Sequence, residues 1–212
     1  MGIRVNAAAS SRRMSRRLVL ADAGLAVIAE EGMRGLTHRA VDRRAGVPPG
    51  TTSNYFRTRR DLIVALTERL YRRLTPEDAA LVEAAAREPT RDQWVRLMVE
   101  LVERALAQPA LHVALWEIRL EAVRRPELMP VLTELVRGGF RADVAFLHRS
   151  RLPGTAHEVR LLHLAINGLI LELLTLPDAL EVGDWPAIAA DLVDRIVYAT
   201  PGARVPLGDI ER

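Results

Sequence analysis

The chain of 212 residues contains no cysteine and no lysine, and all 30 of its basic residues are arginine. The absence of cysteine excludes a disulfide scaffold, a thiolate metal site and a cysteine nucleophile. Because lysine is absent, every cationic contact to a phosphate has to be made by a planar guanidinium group. The five histidines lack metal-ligand spacing, and neither a Gly-rich phosphate loop nor a G-x-S-x-G motif is present. We therefore expect no enzyme activity, no cofactor and no metal.

The sequence also lacks an apolar run long enough to cross a membrane. Its most apolar stretch, residues 161–176, contains His163, Asn167 and Glu172, whereas a spanning helix needs about 20 predominantly apolar residues. The arginine-rich N-terminus has no apolar segment of the kind found in secretory signals. We therefore expect a soluble, cytoplasmic protein without a membrane partner.

Charge is unevenly distributed along the chain. Residues 1–75 carry 15 Arg against 6 acidic residues, a net charge of +9, and residues 76–212 carry 15 Arg against 21 acidic residues, a net charge of −6. A basic N-terminal region joined to an acidic remainder suggests that the basic part binds a polyanion. The alternative is a solvated arginine-rich face with no specific partner.

Helical periodicity extends over nearly the whole sequence, and no alternating β pattern is found. This predicts an all-α fold of about nine helices. We place a flexible basic arm at residues 1–14, an N-terminal helical domain at 15–75, and a C-terminal helical domain at 76–212. Arginines near the arm either reach the DNA backbone or minor groove or belong to a solvated tail. They are Arg12, Arg13, Arg16 and Arg17.

The pattern of a helix-turn-helix begins at Thr37, after a first helix from about Ser15 to Glu31. Thr37 can cap a short helix reaching about Arg44. A second short helix covers about Pro49 to Arg57, with Pro49 at its first position. Two short helices joined by a Gly-containing turn are the geometry that places the second helix in the major groove.

The spacing within residues 17–62 resembles the DNA-binding domain of TetR-type transcriptional regulators. The residues that carry this resemblance are Glu31-Gly32, Thr37-x-Arg39-x-Val41, Ala45-Gly46-Val47, Gly50-Thr51, Tyr55-Phe56 and Arg59-x-x-Leu62. The chain departs from the family pattern at Pro48, Ser53, Tyr55 and Arg59. The resemblance implies a homodimer. Its N-terminal three-helix helix-turn-helix domain, residues 15–75, would bind DNA, and its C-terminal helical regulatory bundle, residues 76–212, would be the variable ligand-binding and dimerisation domain.

Candidate DNA-binding residues follow from side-chain chemistry. Hydroxyl, phenol and guanidinium groups suit phosphate contacts, Gly50 allows the backbone to approach a phosphate, and Asn54 can make a bidentate contact to adenine. Thr52 could offer its methyl group to thymine, and arginines of the first short helix could reach guanine or phosphate. The full set is Thr37, Arg39, Arg43, Gly50, Thr51, Thr52, Ser53, Asn54, Tyr55, Arg57 and Arg59.

Two helices near the C-terminus are the candidate dimer element, because Leu161–Leu176 is apolar almost all round and the last helix has a wide apolar stripe. Two such helices from each of two subunits would form a four-helix interface around a two-fold axis. The predicted interface residues are Leu169, Leu173, Ile188, Leu192 and Ile196. Alternatively, both helices only cover their own core.

An effector pocket among the middle helices would be largely apolar, with few polar groups. The predicted lining consists of Trp94, His112, Trp116, Arg119, Phe140, His163 and Asn167. Both tryptophans also fit an ordinary core, and His163 fits a satisfied, partly buried imidazole. The charged residues Glu117, Arg119, Glu121 and Arg124 are most simply solvated ion pairs along one helix.

The sequence therefore predicts a homodimeric repressor that binds a near-palindromic operator in double-stranded DNA and is released by a small, largely apolar effector. One alternative is a TetR-like activator without a small ligand. Another is a helical binding or scaffold protein whose basic head contacts acidic partners.

Overall fold

The computed structural model of the chain describes the backbone of residues 2–198 and the side chains of residue 11 and of residues 13–198. Within these residues the protein forms ten α-helices and one 3-10 turn and contains no strand, which confirms the predicted all-α fold. The helices are α1 (Gly2–Gly35), α2 (His38–Arg44), α3 (Thr51–Tyr55), α4 (Arg59–Leu74), α5 (Asp78–Ala86), α6 (Arg91–Leu106), α7 (Pro109–Arg124), α8 (Met129–Ser150), α9 (Ala156–Thr175) and α10 (Trp185–Val197). No helix in the described part of the chain is long and apolar enough to cross a membrane.

The helices form two compact units. The first comprises Met1–Asp78 and Gln108–Arg141, and the second comprises Ala79–Ala107 and Ala142–Arg212. The sequence analysis assigned everything after residue 75 to one C-terminal domain. The contacts instead group α7 and the first part of α8 with the N-terminal helices.

In the first unit, α1 packs against α2, α4 and α7 around one hydrophobic core. Leu20, Ile28, Leu62 and Leu66 are fully buried there, and Ile118 adds a side chain from α7. The core explains why α7 belongs with the N-terminal helices. Its apolar face covers side chains that α1 and α4 could not cover by themselves.

The first helix begins at Gly2, not at about Ser15, so the predicted flexible arm at residues 1–14 is helical from Gly2 onward. Three consecutive alanines at residues 7–9 favour this because alanine has the highest helix propensity. The helix is interrupted at Gly32, where φ is 69° and ψ is −177°. A positive φ suits glycine, and the following turn, residues 33–35, points in a new direction.

The two short helices of the helix-turn-helix differ in how well their bounds were predicted. Helix α2 has Thr37 as its N-cap and ends at Arg44, as predicted. Helix α3 is shorter than the predicted Pro49–Arg57, because its N-cap is Gly50, which has a φ of 86°, and Pro48 and Pro49 belong to the preceding turn.

The second unit contains α5, α6, α9, α10 and the remainder of α8. Helix α6 packs against both α9 and α10, and buried Val102, Ile166 and Val193 lie at these contacts. A bidentate ion pair also joins α6 to α10. In it, Arg91 Nε and Nη2 lie 2.6 and 2.8 Å from the two carboxylate oxygens of Asp194.

Candidate nucleic-acid interface

The recognition segment, residues 37–60, is held in place by buried polar side chains. At its centre is Asp42 of α2, which is 3% exposed. Asp42 Oδ2 accepts a hydrogen bond from Gly50 N–H at 2.8 Å, and Oδ1 accepts from Thr52 N–H at 2.7 Å and from Thr52 Oγ1 at 2.5 Å. The carboxylate therefore satisfies amide groups at the start of α3 that no intrahelical carbonyl can satisfy.

The charge state of Asp42 follows from these contacts. Desolvation by burial would raise the pKa of Asp42, but the hydrogen bonds from Thr52 and Gly50, together with the nearby His38, outweigh it and lower the pKa below its usual 3.8. Asp42 is therefore ionised at neutral pH, and its hydrogen bonds are charge-assisted.

The end of α3 is held by side chains of α1 and α2. Arg17 Nη1 donates to the carbonyl of Tyr55 at 3.0 Å, and the Arg17 guanidinium carbon lies 4.6 Å from the centre of the Phe56 ring. His38 Nε2 lies 2.7 Å from the carbonyl of Phe56, so this nitrogen has to carry the proton. Arg17 is thus part of the folded domain and not of a solvated arm. Arg13 and Arg16 are exposed, and the side chain of Arg12 lies outside the described residues.

Polar and cationic side chains cover the outer surface of the recognition segment. Ser53 and Asn54 are exposed on α3. Arg39, Arg43 and Arg57 are exposed as well, and none of the three has an ion-pair partner among the residues that the structure describes. A shallow groove of about 420 Å³ lies beside them, lined by Arg39, Asp42, Arg43, Val47 and Pro49. This surface can offer three guanidinium groups and one side-chain amide to a polyanion.

Other members of the predicted set have local roles as well. Thr37 Oγ1 accepts from Ala40 N–H at 3.0 Å and Thr51 Oγ1 donates to the carbonyl of Pro48 at 2.6 Å. Gly50 is exposed, with open space where a Cβ would lie, although its N–H is already bound to Asp42. The side chain of Tyr55 packs partly against the core. DNA contacts by these four residues stay predictions.

Two of the predicted DNA contacts are wrong. Thr52 has 0% exposure, and its hydroxyl donates to Asp42, so its methyl group cannot reach a base. Arg59 donates to the carbonyls of Met33 and Leu36, so its guanidinium ties α4 to the end of α1. Sequence alone could not reveal either role, because both partners come from residues distant along the chain.

The predicted effector residues are divided between the two units. His112 and Trp116 are neighbours on α7, with ring centres 6.1 Å apart and planes inclined by 59°. Arg119 is exposed on the same helix and Phe140 is half-buried on α8. Trp94, His163 and Asn167 belong to the second unit.

The tryptophan of α6 is a core residue. Trp94 is 5% exposed, and its Nε1–H donates to the carbonyl of Pro153 at 2.9 Å, so it is not free to bind an effector. His163 lies on the exposed side of α9, and the Asn167 amide donates to the carbonyl of His163 at 2.6 Å. The effector role of Trp94 is therefore wrong, and His163 is exposed.

His112 differs from these residues because its buried Nδ1 has no hydrogen-bond partner within the described residues. Burial lowers the pKa of His112. The carbonyl of Gln108, one turn earlier, raises the pKa by a smaller amount, although it does not meet the geometry of a hydrogen bond to Nδ1. The imidazole is therefore neutral at pH 7.

The same helix makes a contact that the sequence analysis missed. Glu117 Oε2 accepts a hydrogen bond from Met33 N–H at 3.1 Å, immediately after the interruption of α1 at Gly32. A Cβ on Gly32 would lie 3.6 Å from the same carboxylate oxygen. Glu117 is thus a structural contact between α7 and α1 and not the solvated ion pair that was expected.

Large apolar side chains are exposed on one face of α9. Leu161, Leu164 and Leu171 lie on it, with exposures of 38%, 63% and 40%, and Gly168 lies between the last two. Leu169 is buried inside its own unit, so its predicted role in the dimer interface is wrong. Ile188 is exposed, and Leu173, Leu192 and Ile196 are half-buried. The i, i+3, i+7, i+10 spacing of the exposed stripe could be seen in the sequence. The buried apolar residues of α9 also have helical spacing, so the sequence could not show which of the two stripes faces solvent.

No group of His, Asp and Glu that could hold a metal ion occurs in the part of the chain that the structure describes. An all-helical protein with a helix-turn-helix near its N-terminus and exposed arginines around the second helix has the features of a helix-turn-helix regulator.

Comparison with known families identifies the class further. A model for tetR-family bacterial regulatory proteins matches residues 20–66. A second model, tetracyclin repressor-like, C-terminal domain, matches residues 89–199, which is more than half of the chain. The chain therefore belongs to the TetR family, and it is a DNA-binding transcriptional regulator and not an enzyme.

Individual relatives agree with this assignment. The HTH-type transcriptional regulator BetI of Rhizobium meliloti (strain 1021) is 31% identical over 123 residues, which are 58% of this chain and 59% of BetI. The chain thus matches less than two thirds of that relative. The multidrug binding protein EbrR, solved in complex with imidazole, is 28% identical, with a TM-score of 0.63 over 89% of this chain and 98% of EbrR. A TetR-family member from Streptomyces coelicolor A3 is 25% identical, with a TM-score of 0.65 over 86% of this chain and 98% of its own.

Proposed function

We propose that the protein is a homodimeric repressor that acts in the cytoplasm, binds a near-palindromic operator through α3 and leaves it when an effector binds to α7. The observation that carries the DNA-binding part is the outer surface of the recognition segment. Ser53 and Asn54 are exposed on α3, and unpaired guanidinium groups flank them. Guanidinium groups supply phosphate contacts that position the protein, and the amide of Asn54 can read an adenine.

The exposed apolar stripe of α9 supports dimerisation. Leu164 and Leu171 lie one above the other on either side of Gly168, where the absence of a side chain lets a second helix approach closely. Exposed leucines in a continuous row are costly in water and become stable when a second copy covers them. A two-fold axis through this face would present two copies of α3, as a near-palindromic operator requires.

One face of α7 supports effector binding in the first unit. His112 and Trp116 lie on it together with Leu120 and Val123, whose exposures are 55% and 72%. It combines apolar area with the half-buried, neutral imidazole of His112, as small-molecule sites combine apolar walls with a few polar groups. The similar protein EbrR has also been solved with malachite green and with ethidium. We therefore propose flat aromatic compounds of this kind as the first effectors to test.

The route from α7 to the recognition segment passes through Met33. Glu117, next to Trp116, accepts from the Met33 amide, and Arg59, the first residue of α4, donates to the Met33 carbonyl. An effector that moves α7 would therefore disturb the joint between α1 and α4. Release requires that the effector bind the DNA-free conformation more tightly, typically by about 1–3 kcal/mol.

The experiment that tests this proposal is selection of an operator from random duplexes with the purified full chain, followed by titration in competitor DNA. We expect a near-palindrome whose binding survives excess competitor, with a stoichiometry of two chains per duplex. Asn54→Ala should relax preference at one base pair per half-site, at a cost of about 1–3 kcal/mol. Selection that yields no sequence, with binding that vanishes in competitor, would show that the basic surface is only a general polyanion contact.

Addition of a dye distinguishes a ligand-released repressor from a regulator without a small ligand. If malachite green or ethidium raises the melting temperature and lowers operator affinity, the effector part of the proposal holds. Stabilisation without any change in operator affinity would contradict it, although the binding site would be real.

A further inference from the structure

The recognition helix is too short to maintain its own orientation. Helix α3 has five residues, whereas isolated helices shorter than about 12–15 residues are marginal in water. The side chain at its buried position is Thr52, a polar residue with 0% exposure. Apolar burial at that position is therefore limited to one methyl group. Tyr55 and Phe56 anchor the end of α3 against the core, so its start must be oriented by other contacts.

The contacts of Asp42 supply that orientation at two separate points. One carboxylate oxygen binds Gly50 N–H, ahead of the helix, and the other binds the amide and the hydroxyl of Thr52, within its first turn. A single hydrogen bond would leave α3 free to rotate about the bond. Two oxygens bound to groups two residues apart determine both the position of the helix start and the rotation about its axis.

Gly50 is required for this arrangement. Its φ of 86° lies in the left-handed region that favours glycine, and this conformation turns its N–H toward Asp42 Oδ2. The carboxylate is ionised, so all three hydrogen bonds are of the stronger, charge-assisted kind.

We propose that Asp42 and Thr52 form a positioning pair that sets the rotation of α3 on the operator, so that base recognition by Asn54 depends on a carboxylate that contacts no base. Thr52 precedes Asn54 by two residues, so a rotation of α3 at Thr52 moves the Asn54 amide by the same angle. A bidentate contact tolerates displacements of only about 0.5 Å or about 10–20°. Phosphate contacts by flexible arginine side chains tolerate more. Loss of the pair should therefore reduce specific binding more than non-specific binding.

The inference rests on the proposed function, because it needs α3 to read DNA. The test uses two duplexes, one selected from a random library by the wild-type protein and one of the same length with scrambled sequence. Thr52→Val keeps the side-chain shape and removes only the hydroxyl. We expect its Kd for the selected duplex to rise by about tenfold, the value of one lost hydrogen bond to a charged group, and its Kd for the scrambled duplex to change by less than about twofold.

Matched variants separate positioning from stability. Thr52→Ser restores the hydroxyl and should return the selected-duplex Kd to within about threefold of wild type. Asp42→Asn keeps the shape but directs an amide N–H₂ at a backbone N–H, so it should lose more specificity than Thr52→Val. Asp22→Asn is the control, because Asp22 binds Arg69 and Arg73 in the same unit without touching α3. It should alter thermal stability while leaving the ratio of the two Kd values unchanged.

A double-mutant cycle gives the decisive measurement. In the wild-type background Asn54→Ala should weaken binding to the selected duplex, and in the Thr52→Val background the same change should cost less, because the amide is already misplaced. Equal costs in both backgrounds, with both proteins folded by circular dichroism, would overturn the inference. If the wild-type protein selects no sequence at all, the proposed function fails first. If the wild-type protein selects a sequence but Asn54→Ala does not change binding to either duplex, Asn54 does not recognise a base. The inference about Asp42 and Thr52 is then wrong, while DNA binding by the protein stands.

Discussion

The recognition segment and the exposed face of α9 are both surfaces that face solvent, but they are built in opposite ways. Beneath the recognition segment, buried polar groups are paired with one another, as Asp42 is with Thr52, and the outer surface carries unpaired arginines. The face of α9 carries Leu164 and Leu171 in the open. The recognition segment has its buried polar groups paired within one chain, and its exposed arginines can bind an anionic molecule. The face of α9 has apolar area that only another apolar surface can cover.

The largest expected effect follows from the apolar side of this comparison. Replacing Leu164 and Leu171 with Asp should prevent dimerisation, since covering that face would then bury unpaired charge. Sedimentation should show a monomer, and operator affinity should fall by about a hundredfold or more, because two linked half-site contacts become one. Val82→Asp is the control, since Val82 is 71% exposed and belongs to α5, not to α9. A double variant that stays dimeric would place the interface elsewhere.

A second prediction separates two arginines of the recognition segment. Arg43→Ala removes an exposed, unpaired guanidinium and should lower the slope of log K against log salt by about one unit, without a change in melting temperature. Arg59→Ala leaves the carbonyls of Met33 and Leu36 without their donor and should cost about 1–3 kcal/mol of unfolding free energy. Salt titration and thermal melting of both variants check this. An unchanged melting temperature and a reduced salt slope for Arg59→Ala would restore its original assignment to phosphate.

A smaller effect is expected where α7 meets α1. Glu117→Ala removes the acceptor of Met33 N–H, so an effector on α7 should lose part of its influence on DNA. Operator affinity without effector should change by less than about threefold, while the effector-induced weakening, typically about 5–150-fold, should move toward none.

Two further variants sharpen this prediction. Trp116→Ala should abolish effector binding itself. Titration with the dye therefore distinguishes a variant that no longer binds the effector from one that binds it but no longer weakens DNA binding. Glu103→Ala, an exposed acidic residue of α6, is the control and should leave the response unchanged. A Glu117→Ala protein with a full effector response would exclude the Met33 route.

The smallest effect concerns acid pH. The pKa of Asp42 is lower in the folded state than its usual 3.8, so its ionisation contributes stability above that value, and the contribution is lost as pH falls through the folded-state pKa. Urea unfolding should therefore show a constant difference between wild type and Asp42→Asn from pH 5 to 8, with a decrease below about pH 4. A change centred well above pH 4 would contradict the assignment of this dependence to Asp42.

Much of the fold could be predicted from local patterns. Thr37 caps α2, and the helix ends where it was expected, because capping depends on residues three positions apart. The start of α4 is equally local, since the capping box there joins Thr58 and Asp61, three positions apart. The bounds of α3 could not be predicted, because its first turn is completed by Asp42, eight to ten residues earlier.

The candidate sites show the same limit. Ser53 and Asn54 are exposed as expected, but Thr52 beside them is buried, and no propensity distinguishes these small polar residues. On α9 the sequence showed a helix that is apolar almost all round. It could not show that Leu169 faces its own unit while Leu164 faces solvent.

What the sequence by itself determined is the helical composition, the helix-turn-helix spacing, the family and the segregation of charge, since each depends on residue type and short-range periodicity. The tertiary structure alone decided which polar side chains support the recognition helix and which remain free for a partner. Arg59 and Arg43 are the same residue type in the same unit, yet one binds two backbone carbonyls and the other is exposed, with no ion-pair partner among the described residues. The difference arises because a side chain's role depends on the groups that the fold brings within about 3 Å of it, and these come from distant parts of the chain.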